Sequence, residues 1–501
     1  MQTVARRRRT GNKKSRLGCR TCRARHIKCD ETPGTCQNCT LSSRSCEYDL
    51  ERLPRTRRTK LSARALALVN VPPTLAGGLH WITTADERRC FSHFQFHIIP
   101  TVTALFDVSL WQNVVLPTSH VEPAVYHAAV ALSAVYRDSE TNGMPLPGQE
   151  HFNPWNRFSL EQANRSYALV SRRSASQDPR LQGVLLLCCL LFIVQELLRG
   201  QYDEAFRHLQ SGLKILQGSK GRRNQTPVEE CLVAAFARLD IQSAFYGTGG
   251  PFMRLDEDPE YWLSQVDFKT VYEARQALEP LFSGTFWFHS QCQALSKAEI
   301  ESGYGDLQGK QQQLLSEANR YVCAFDTFYS RSYVYLNLKD QRAADVVAVN
   351  HKIVALSLKE CLLRPEDAAL DYYTPDHEMV LSLVQAIIHK FPDRPSVVLD
   401  MGVIPPLYYI SLKCRDYAVR WRAIMALKSW PHREGTFDAN WAASVAVRLL
   451  EAELGDSRLQ SPDGSSLPPQ EDDRFSSEDA VKSSEAVKDW MCSQYFQPRQ
   501  T

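Results

Sequence analysis

The sequence predicts a mainly α protein in which a small cysteine-rich module precedes a large all-helical domain. Six cysteines lie within residues 19–46, and from about residue 86 to 450 apolar residues recur at the three- and four-residue steps of helices. The first sixty residues carry seventeen Lys/Arg against five Asp/Glu, although the whole 501-residue chain has a net charge of only +3. A basic N-terminal segment followed by an acidic remainder is typical of a chain whose N-terminal segment binds a polyanion.

Residues 1–17 are predicted to form a basic N-terminal arm. No apolar segment of signal-peptide length follows its cations. The arm is expected to serve as a nuclear import signal, as a nonspecific phosphate contact, or as both. The residues concerned are Arg6, Arg7, Arg8, Arg9, Lys13 and Lys14.

Residues 18–49 contain one cysteine pattern twice. The spacing C-x2-C-x6-C occurs at an offset of seventeen residues, which predicts a module with internal two-fold character. The six cysteines are Cys19, Cys22, Cys29, Cys36, Cys39 and Cys46.

The cysteine count indicates two zinc ions per chain. A disulfide framework is the alternative, but it requires an oxidising compartment. A structural zinc takes four ligands, and C-x2-C lets one loop supply two of them. Six thiolates satisfy two ions only if two sulfurs bridge, and the repeat assigns the bridge to Cys19 and Cys36. The remaining ligands are then Cys22 and Cys29 on one ion, and Cys39 and Cys46 on the other.

The stretch from Gly18 to Asp49 resembles the DNA-binding domain of the fungal binuclear zinc-cluster transcription factors. The resemblance rests on all six cysteines in order and spacing, and on the basic residues between the second and third. One departure is Pro33, which stands three residues before Cys36, whereas the family usually has proline two residues before. The resemblance implies a nuclear protein that binds double-stranded DNA at a CGG-type half-site and regulates transcription by RNA polymerase II.

The two halves of the module differ in charge. The first spacer carries Arg23, Arg25, His26 and Lys28, whereas the second carries only Arg44. We expect each C-x2-C to be followed by a short helix with its N-terminal amides towards the thiolates, and the first helix to approach the duplex. By resemblance, Arg25 and His26 occupy base-contacting positions, with phosphate contacts from Arg23 and Lys28. The alternative is that these cations only offset the negative charge of the cluster.

Residues 50–85 are predicted to be a basic linker. Leu61, Leu66 and Leu68 form no sustained heptad, and Pro72 and Pro73 would end any helix there. The sequence therefore does not support a coiled-coil dimer at this point. Monomeric binding and a homodimer formed through the large domain both remain open.

Residues 86–450 are predicted to form the helical domain. One helix is expected to have an inward face made by Ala124, His127, Ala128, Ala131, Leu132 and Val135. The stretch Val184–Val194 is apolar all round, but eleven residues are too few to cross a bilayer. We therefore expect a buried central helix, no membrane contact, and an antiparallel pairing with the amphipathic helix that ends near Gly218. This body resembles the fungal-specific regulatory domain found behind such zinc clusters.

No enzyme class finds support in the sequence. Cys90, His93 and His97 could make a second metal site, but the surrounding phenylalanines favour core packing. The glycine-rich stretch 247–251 lacks the spacing of a phosphate-binding loop. The chain is therefore predicted not to be an enzyme.

Residues 451–501 are predicted to form an acidic, largely disordered tail. It carries eleven Asp/Glu against five Lys/Arg, interleaved with aromatic residues. Such a tail suits a segment that binds coactivators, and the alternative is a solvated tail whose last helix, near Ala486–Tyr495, docks on the body. We interpret the chain as a sequence-specific transcription factor, with a metabolic or secondary-metabolite gene cluster among its conceivable targets. A DNA-binding repressor or architectural protein without an activation function is the alternative.

Overall fold

The fold is described from a computed structural model. The structure describes residues 19–30, 36–46, 81–106, 110–146, 153–173, 178, 180–219, 227–244, 267–364 and 367–460. The predicted N-terminal arm, most of the linker, the glycine-rich stretch at 247–251 and the tail beyond residue 460 lie outside these residues.

The cysteine module contains two short helices, α1 (Arg20–Ala24) and α2 (Gln37–Thr40). Each begins one residue after the first cysteine of a C-x2-C pair, so the second cysteine lies inside the helix. The prediction placed the helices after the pairs and was wrong in this respect. In α1 the physical reason is that the Cys19 sulfur occupies the N-cap position and accepts the N–H of Cys22 at 3.2 Å.

Each helix is followed by a residue with positive φ, and these two residues are seventeen positions apart. His26 and Ser43 have φ angles of 56° and 48°, in the left-handed region where helices commonly terminate. Beyond them, the N–H of Ile27 bonds the carbonyl of Cys22, and the N–H of Arg44 bonds that of Cys39, each at 3.1 Å. The predicted two-fold character of the module is confirmed.

The first half of the body is built around one helix. The helices are α3 (Ala85–His93), α4 (Ile99–Val102), α5 (Leu116–Val121), α6 (Pro123–Asn142) and α7 (Pro154–Ser171), with π-helical turns at Phe94–Ile98 and Leu110–Val115. A capping box between Thr84 and Glu87 starts α3. Because α3, α7 and the following helix all pack on α6, that helix is buried on nearly every side rather than on the single predicted face.

Helices α8 (Leu181–Leu198) and α9 (Tyr202–Ser219) form the predicted hairpin. Gly200 joins them with a φ of 73°, and a side chain there would meet the carbonyl oxygen of Leu146 at 2.9 Å. Helix α8 has eighteen residues and is apolar enough to cross a membrane, but 78% of it is buried inside the protein. The expected burial is confirmed, whereas the argument from a short length was wrong.

The second half adds nine helices and a minimal sheet within the described residues. The helices are α10 (Pro227–Ser243), α11 (Val271–Ala294), α12 (Lys297–Ser302), α13 (Tyr304–Ser332), α14 (Leu338–Glu360), α15 (Thr374–Lys390), α16 (Ile404–Lys413), α17 (Tyr417–Ser429) and α18 (Ala439–Gln460), with 3₁₀ turns at Tyr333–Tyr335 and Ala368–Tyr373. Strand β2 (Arg433–Glu434) pairs in parallel with β1 (Val397–Val398) and antiparallel with β3 (Phe437–Asp438). The mainly α class is confirmed. Helix α18 continues ten residues past the predicted boundary at 450.

One apolar core runs through the body from Cys90 to Ala443. Glu434, on strand β2, stabilises the C-terminal part of the body. Its buried carboxylate accepts the N–H groups of Gly402, Val403 and Ile404 at 2.8–2.9 Å and thereby caps the start of α16. His432 also contacts this carboxylate, at 2.8 Å. The cysteines of the N-terminal module form a separate cluster.

Candidate metal centre and nucleic-acid interface

The six cysteines of the module gather into one cluster. Four of their sulfurs lie within 4.8 Å of one another, and all four residues are buried. The closest Sγ–Sγ pairs are Cys19–Cys36 at 3.8 Å, Cys19–Cys39 at 3.6 Å, Cys22–Cys36 at 3.5 Å and Cys22–Cys39 at 4.0 Å. Zinc–sulfur bonds of about 2.3 Å in a tetrahedron place ligand sulfurs about 3.8 Å apart. The donor set therefore fits zinc in both chemistry and spacing.

The sulfur spacing does not fit disulfides. A disulfide needs about 2.05 Å between sulfurs, whereas the four close pairs lie 3.5–4.0 Å apart. Of the four close pairs, only Cys22–Cys39 would span two different ions in the predicted arrangement. The other three pairs are ligands that share an ion.

Backbone amides support the thiolates on both sides of the module. The N–H of Cys19 points to the sulfur of Cys29 at 3.4 Å, and the N–H of Cys36 points to that of Cys46 at 3.2 Å. These two contacts are related by the seventeen-residue offset. Each half of the module therefore directs the N–H of its first cysteine to the sulfur of its third.

The pKa values of the Cys19 and Cys36 thiols lie below the ordinary cysteine value. Burial raises both pKa values, but backbone N–H groups of Cys22 and Cys39 and the neighbouring thiols outweigh it. The thiols of Cys22 and Cys39 show the opposite direction, with pKa values raised by burial. Among these four thiols, the two with lowered pKa values are the two that the repeat assigns to the bridge.

Two side-chain bonds join the halves across the pseudo-two-fold axis. The Thr21 hydroxyl donates to the carbonyl of Ser45 at 2.7 Å, and the Asn38 amide donates to the carbonyl of Lys28 at 2.9 Å. Thr21 and Asn38 are seventeen residues apart, as are Lys28 and Ser45. These two contacts were not among the predictions, although the seventeen-residue offset was the signal that could have found them.

The basic spacer lies on the surface of the module. Arg25, His26 and Lys28 are exposed, and Arg23 is half-buried. The positions seventeen residues later carry Thr40, Ser42, Ser43 and Ser45. The backbone of the module is therefore nearly symmetric, whereas its positive charge is concentrated on the first half.

Arg25 is held by a residue from the other half. Its Nη1 donates to the Ser42 hydroxyl at 2.9 Å, and Ser42 in turn donates to the carbonyl of Asn38 at 2.6 Å. A guanidinium has five N–H groups, and this bond uses one of them. Ser42 was not predicted, because nothing in a serine-rich spacer indicates a contact with an arginine seventeen residues earlier.

The second metal site considered from the sequence does not form. The His93 Nδ1 contacts the Ser133 hydroxyl at 3.1 Å, and the His97 ring stacks on that of His93 at 5.0 Å. Burial raises the pKa of the Cys90 thiol to about 12, which disfavours the thiolate. Within the described residues, metal-type side chains converge in groups of three or more only in the cysteine module.

Two family profiles match the chain, one for each part. The fungal Zn(2)-Cys(6) binuclear cluster domain matches residues 17–55, and the fungal specific transcription factor domain matches residues 89–316. No solved structure matches the chain. The first domain holds two zinc ions through six cysteines, as the cluster described above allows.

Curated relatives are transcription regulators. The aspercryptin biosynthesis cluster-specific transcription regulator atnN of Emericella nidulans is 20% identical, over 88% of this chain and 87% of its own length. The transcription regulator lscL of Purpureocillium lilacinum is 27% identical, over 44% of this chain and 54% of its own. White-opaque regulator 2 of Candida albicans is 47% identical over 55 residues, which are 11% of this chain and 12% of its own. The chain therefore contains, in this order, a fungal Zn(2)-Cys(6) binuclear cluster domain and a fungal specific transcription factor domain.

Proposed function

We propose that the protein is a nuclear regulator of RNA polymerase II transcription that reads a CGG-type half-site through its zinc cluster. The six cysteines would hold the ions as two sites that share Cys19 and Cys36. When bound, zinc supplies the folding energy of a module too small to have an apolar core of its own. The basic spacer then presents its side chains to the DNA from a fixed backbone.

The observation that carries this proposal is the charge difference between two nearly identical halves. A structural role alone gives no reason why Arg25, His26 and Lys28 should be matched by three serines at the symmetry-related positions. Offsetting the cluster's negative charge would be served equally well by cations on both halves. Positive charge on one exposed half is what a surface that contacts phosphates and guanine edges requires.

Within this proposal the four basic residues have two roles. Arg25 and His26 lie where the first helix ends, and they would contact bases. Arg23 and Lys28 flank them and would contact phosphates. The arm from Arg6 to Lys14 would add nonspecific affinity and act in nuclear import, and the tail beyond residue 460 would contact coactivators.

A biosynthetic gene cluster is the proposed target. The support is the printed name of the relative that aligns over most of both chains, which describes a regulator specific to one biosynthesis cluster. A homodimer is proposed only as an option, since a single module can bind one half-site.

A repressor or architectural protein is the second candidate. The cluster and the basic spacer would serve it equally well, so only the transcriptional output separates the two. Genome-wide occupancy of the tagged chain, combined with transcript levels after its deletion, tests both. Activation predicts that bound genes fall in expression on deletion, repression predicts that they rise, and occupancy without a shared sequence would contradict specific DNA binding.

A further inference from the structure

The outward face of α17 carries large apolar side chains. Tyr417, Trp421 and Met425 stand at positions i, i+4 and i+8, and they are 45%, 48% and 47% exposed. The opposite side of the helix is buried in the body through Val419, Ala423, Ile424 and other residues. A surface helix normally turns polar residues to solvent, so this face of α17 is the reverse of the usual pattern.

The size of the α17 face indicates a contact surface. Tyr417 and Trp421 have side chains of about 150–250 Å² each, so their half-exposure together with that of Met425 leaves an apolar area on the order of 300 Å². An area of that size is comparable to the largest apolar patch of a typical monomer, and such patches are often functional. Trp and Tyr are also the residues that contribute most to the centres of interfaces.

Cations border the α17 face. The ammonium of Lys428 lies 5.8 Å from the centre of the Trp421 ring, and the guanidinium of Arg420 lies 5.7 Å from that of Tyr417. Of the five Lys/Arg between residues 413 and 428, three pair with carboxylates of neighbouring elements: Arg415 with Asp371, the buried Arg420 with Glu453, and Arg422 with Glu378. Lys428 is therefore the exposed cation that an acidic side chain of an occupant would meet beside Trp421.

The chain itself supplies an acidic segment with aromatic residues close to α17. Helix α18 packs on α17, and the Glu453 carboxylate accepts from the guanidinium of Arg420. Seven residues later, at Gln460, the described part ends. Residues 461–501 carry eight Asp/Glu against four Lys/Arg, together with Phe475, Trp490, Tyr495 and Phe496. Helix α17 is about 20 Å long. The forty-one residues that follow its partner helix α18 are long enough to reach any point on it.

We propose that residues 471–496 of the same chain dock on the face formed by Tyr417, Trp421 and Met425. The aromatic side chains of the segment would cover Trp421, and its carboxylates would lie beside Lys428. Attachment through α18 makes the encounter intramolecular, which raises the effective concentration to the millimolar range. One element of this proposal rests on the proposed function: the docked segment is the one that would otherwise contact coactivators.

Site-specific photo-crosslinking of the full-length chain tests the docking. Benzoylphenylalanine replaces Trp421 in one protein and Tyr304 in a control; Tyr304 is an aromatic residue of similar exposure (47%) on α13. The expected result is an intramolecular cross-link from position 421 to residues 471–496, at least about five times more abundant than from position 304. Replacing Phe475 and Trp490 by serine should lower that yield at least about threefold.

Three results would overturn the docking. They are a cross-link from position 421 to a second copy of the chain, equal yields from positions 421 and 304, and a yield unchanged by the two serine substitutions. The reaction needs neither DNA nor a functional zinc cluster. A failure of docking is therefore distinguishable from a failure of the proposed DNA-binding function.

Discussion

Removal of the Ser42 hydroxyl tests whether the contact with Arg25 pre-organises that arginine for DNA binding. In the structure the 2.9 Å bond from Arg25 Nη1 to the Ser42 hydroxyl holds the long Arg25 side chain in one rotamer. Without this bond, the side chain would lose its rotamer freedom only when it binds DNA. Ordering such a side chain costs about 0.5–1.5 kcal/mol, so Ser42→Ala should weaken binding to the preferred site by about 2- to 13-fold. On random DNA, where Arg25 makes no base contact, the change should be small.

A double-mutant cycle identifies the cause of that loss. Arg25→Ala should cost about 1–3 kcal/mol on the preferred site. If Ser42 acts only through Arg25, Ser42→Ala should add nothing in the Arg25→Ala background, and the coupling energy should equal the whole Ser42 effect. Ser45→Ala is the matched control, since it makes the same change on the same half of the module and leaves the backbone carbonyl that Thr21 uses.

The assay is fluorescence anisotropy of labelled duplexes with the full-length, zinc-loaded chain at one salt concentration. Zinc content is measured for each variant to exclude loss of the cluster. Tighter binding by Ser42→Ala would refute the reasoning, because it would mean that Ser42 holds Arg25 away from the groove. Equal losses from Ser42→Ala on preferred and random DNA would also refute it.

Three further predictions concern the cluster, the phosphate contact and the body. Cys36→Ser should remove both zinc ions rather than one, measured as metal per chain; retention of one ion would contradict a bridging sulfur. Lys28→Gln should weaken binding to all duplexes alike and lower the slope of log K against log salt by about one, and a loss confined to the preferred site would place Lys28 among the base contacts. Glu434→Ala should destabilise the helical body by about 3–5 kcal/mol, because it leaves three buried N–H groups and His432 without their acceptor. Thermal unfolding followed by circular dichroism measures this loss, and an unchanged midpoint would contradict the importance of the cap.

The features that could be predicted from the sequence are those encoded by local spacing. The cysteine repeat predicted the identity of the metal, the number of ions and the two-fold character of the module. It could do so because ligand spacing and loop geometry are set within a few residues. The pattern of apolar residues likewise gave the hairpin of α8 and α9, whose partner faces are adjacent in the chain.

The features that could not be predicted depend on residues distant in sequence. The all-round burial of α6 requires α3, α7 and α8 to pack on it together, which a single helical stretch does not reveal. Glu434 caps a helix thirty residues before it, and its environment looks polar and unremarkable in the sequence. Ser42 contacts Arg25 only because the two halves of the module fold against each other across their common axis.

Specific reading of DNA by the zinc cluster is tested most directly by selection from a pool of randomised duplexes. The full-length, zinc-loaded chain is compared with Cys36→Ser and with Arg25→Ala under the same salt conditions. We predict that the native chain enriches a CGG-type triplet, that Cys36→Ser enriches no sequence, and that Arg25→Ala binds DNA with a relaxed preference within the triplet. Enrichment of no shared sequence by the native chain, or the same triplet recovered by Cys36→Ser, would contradict the account.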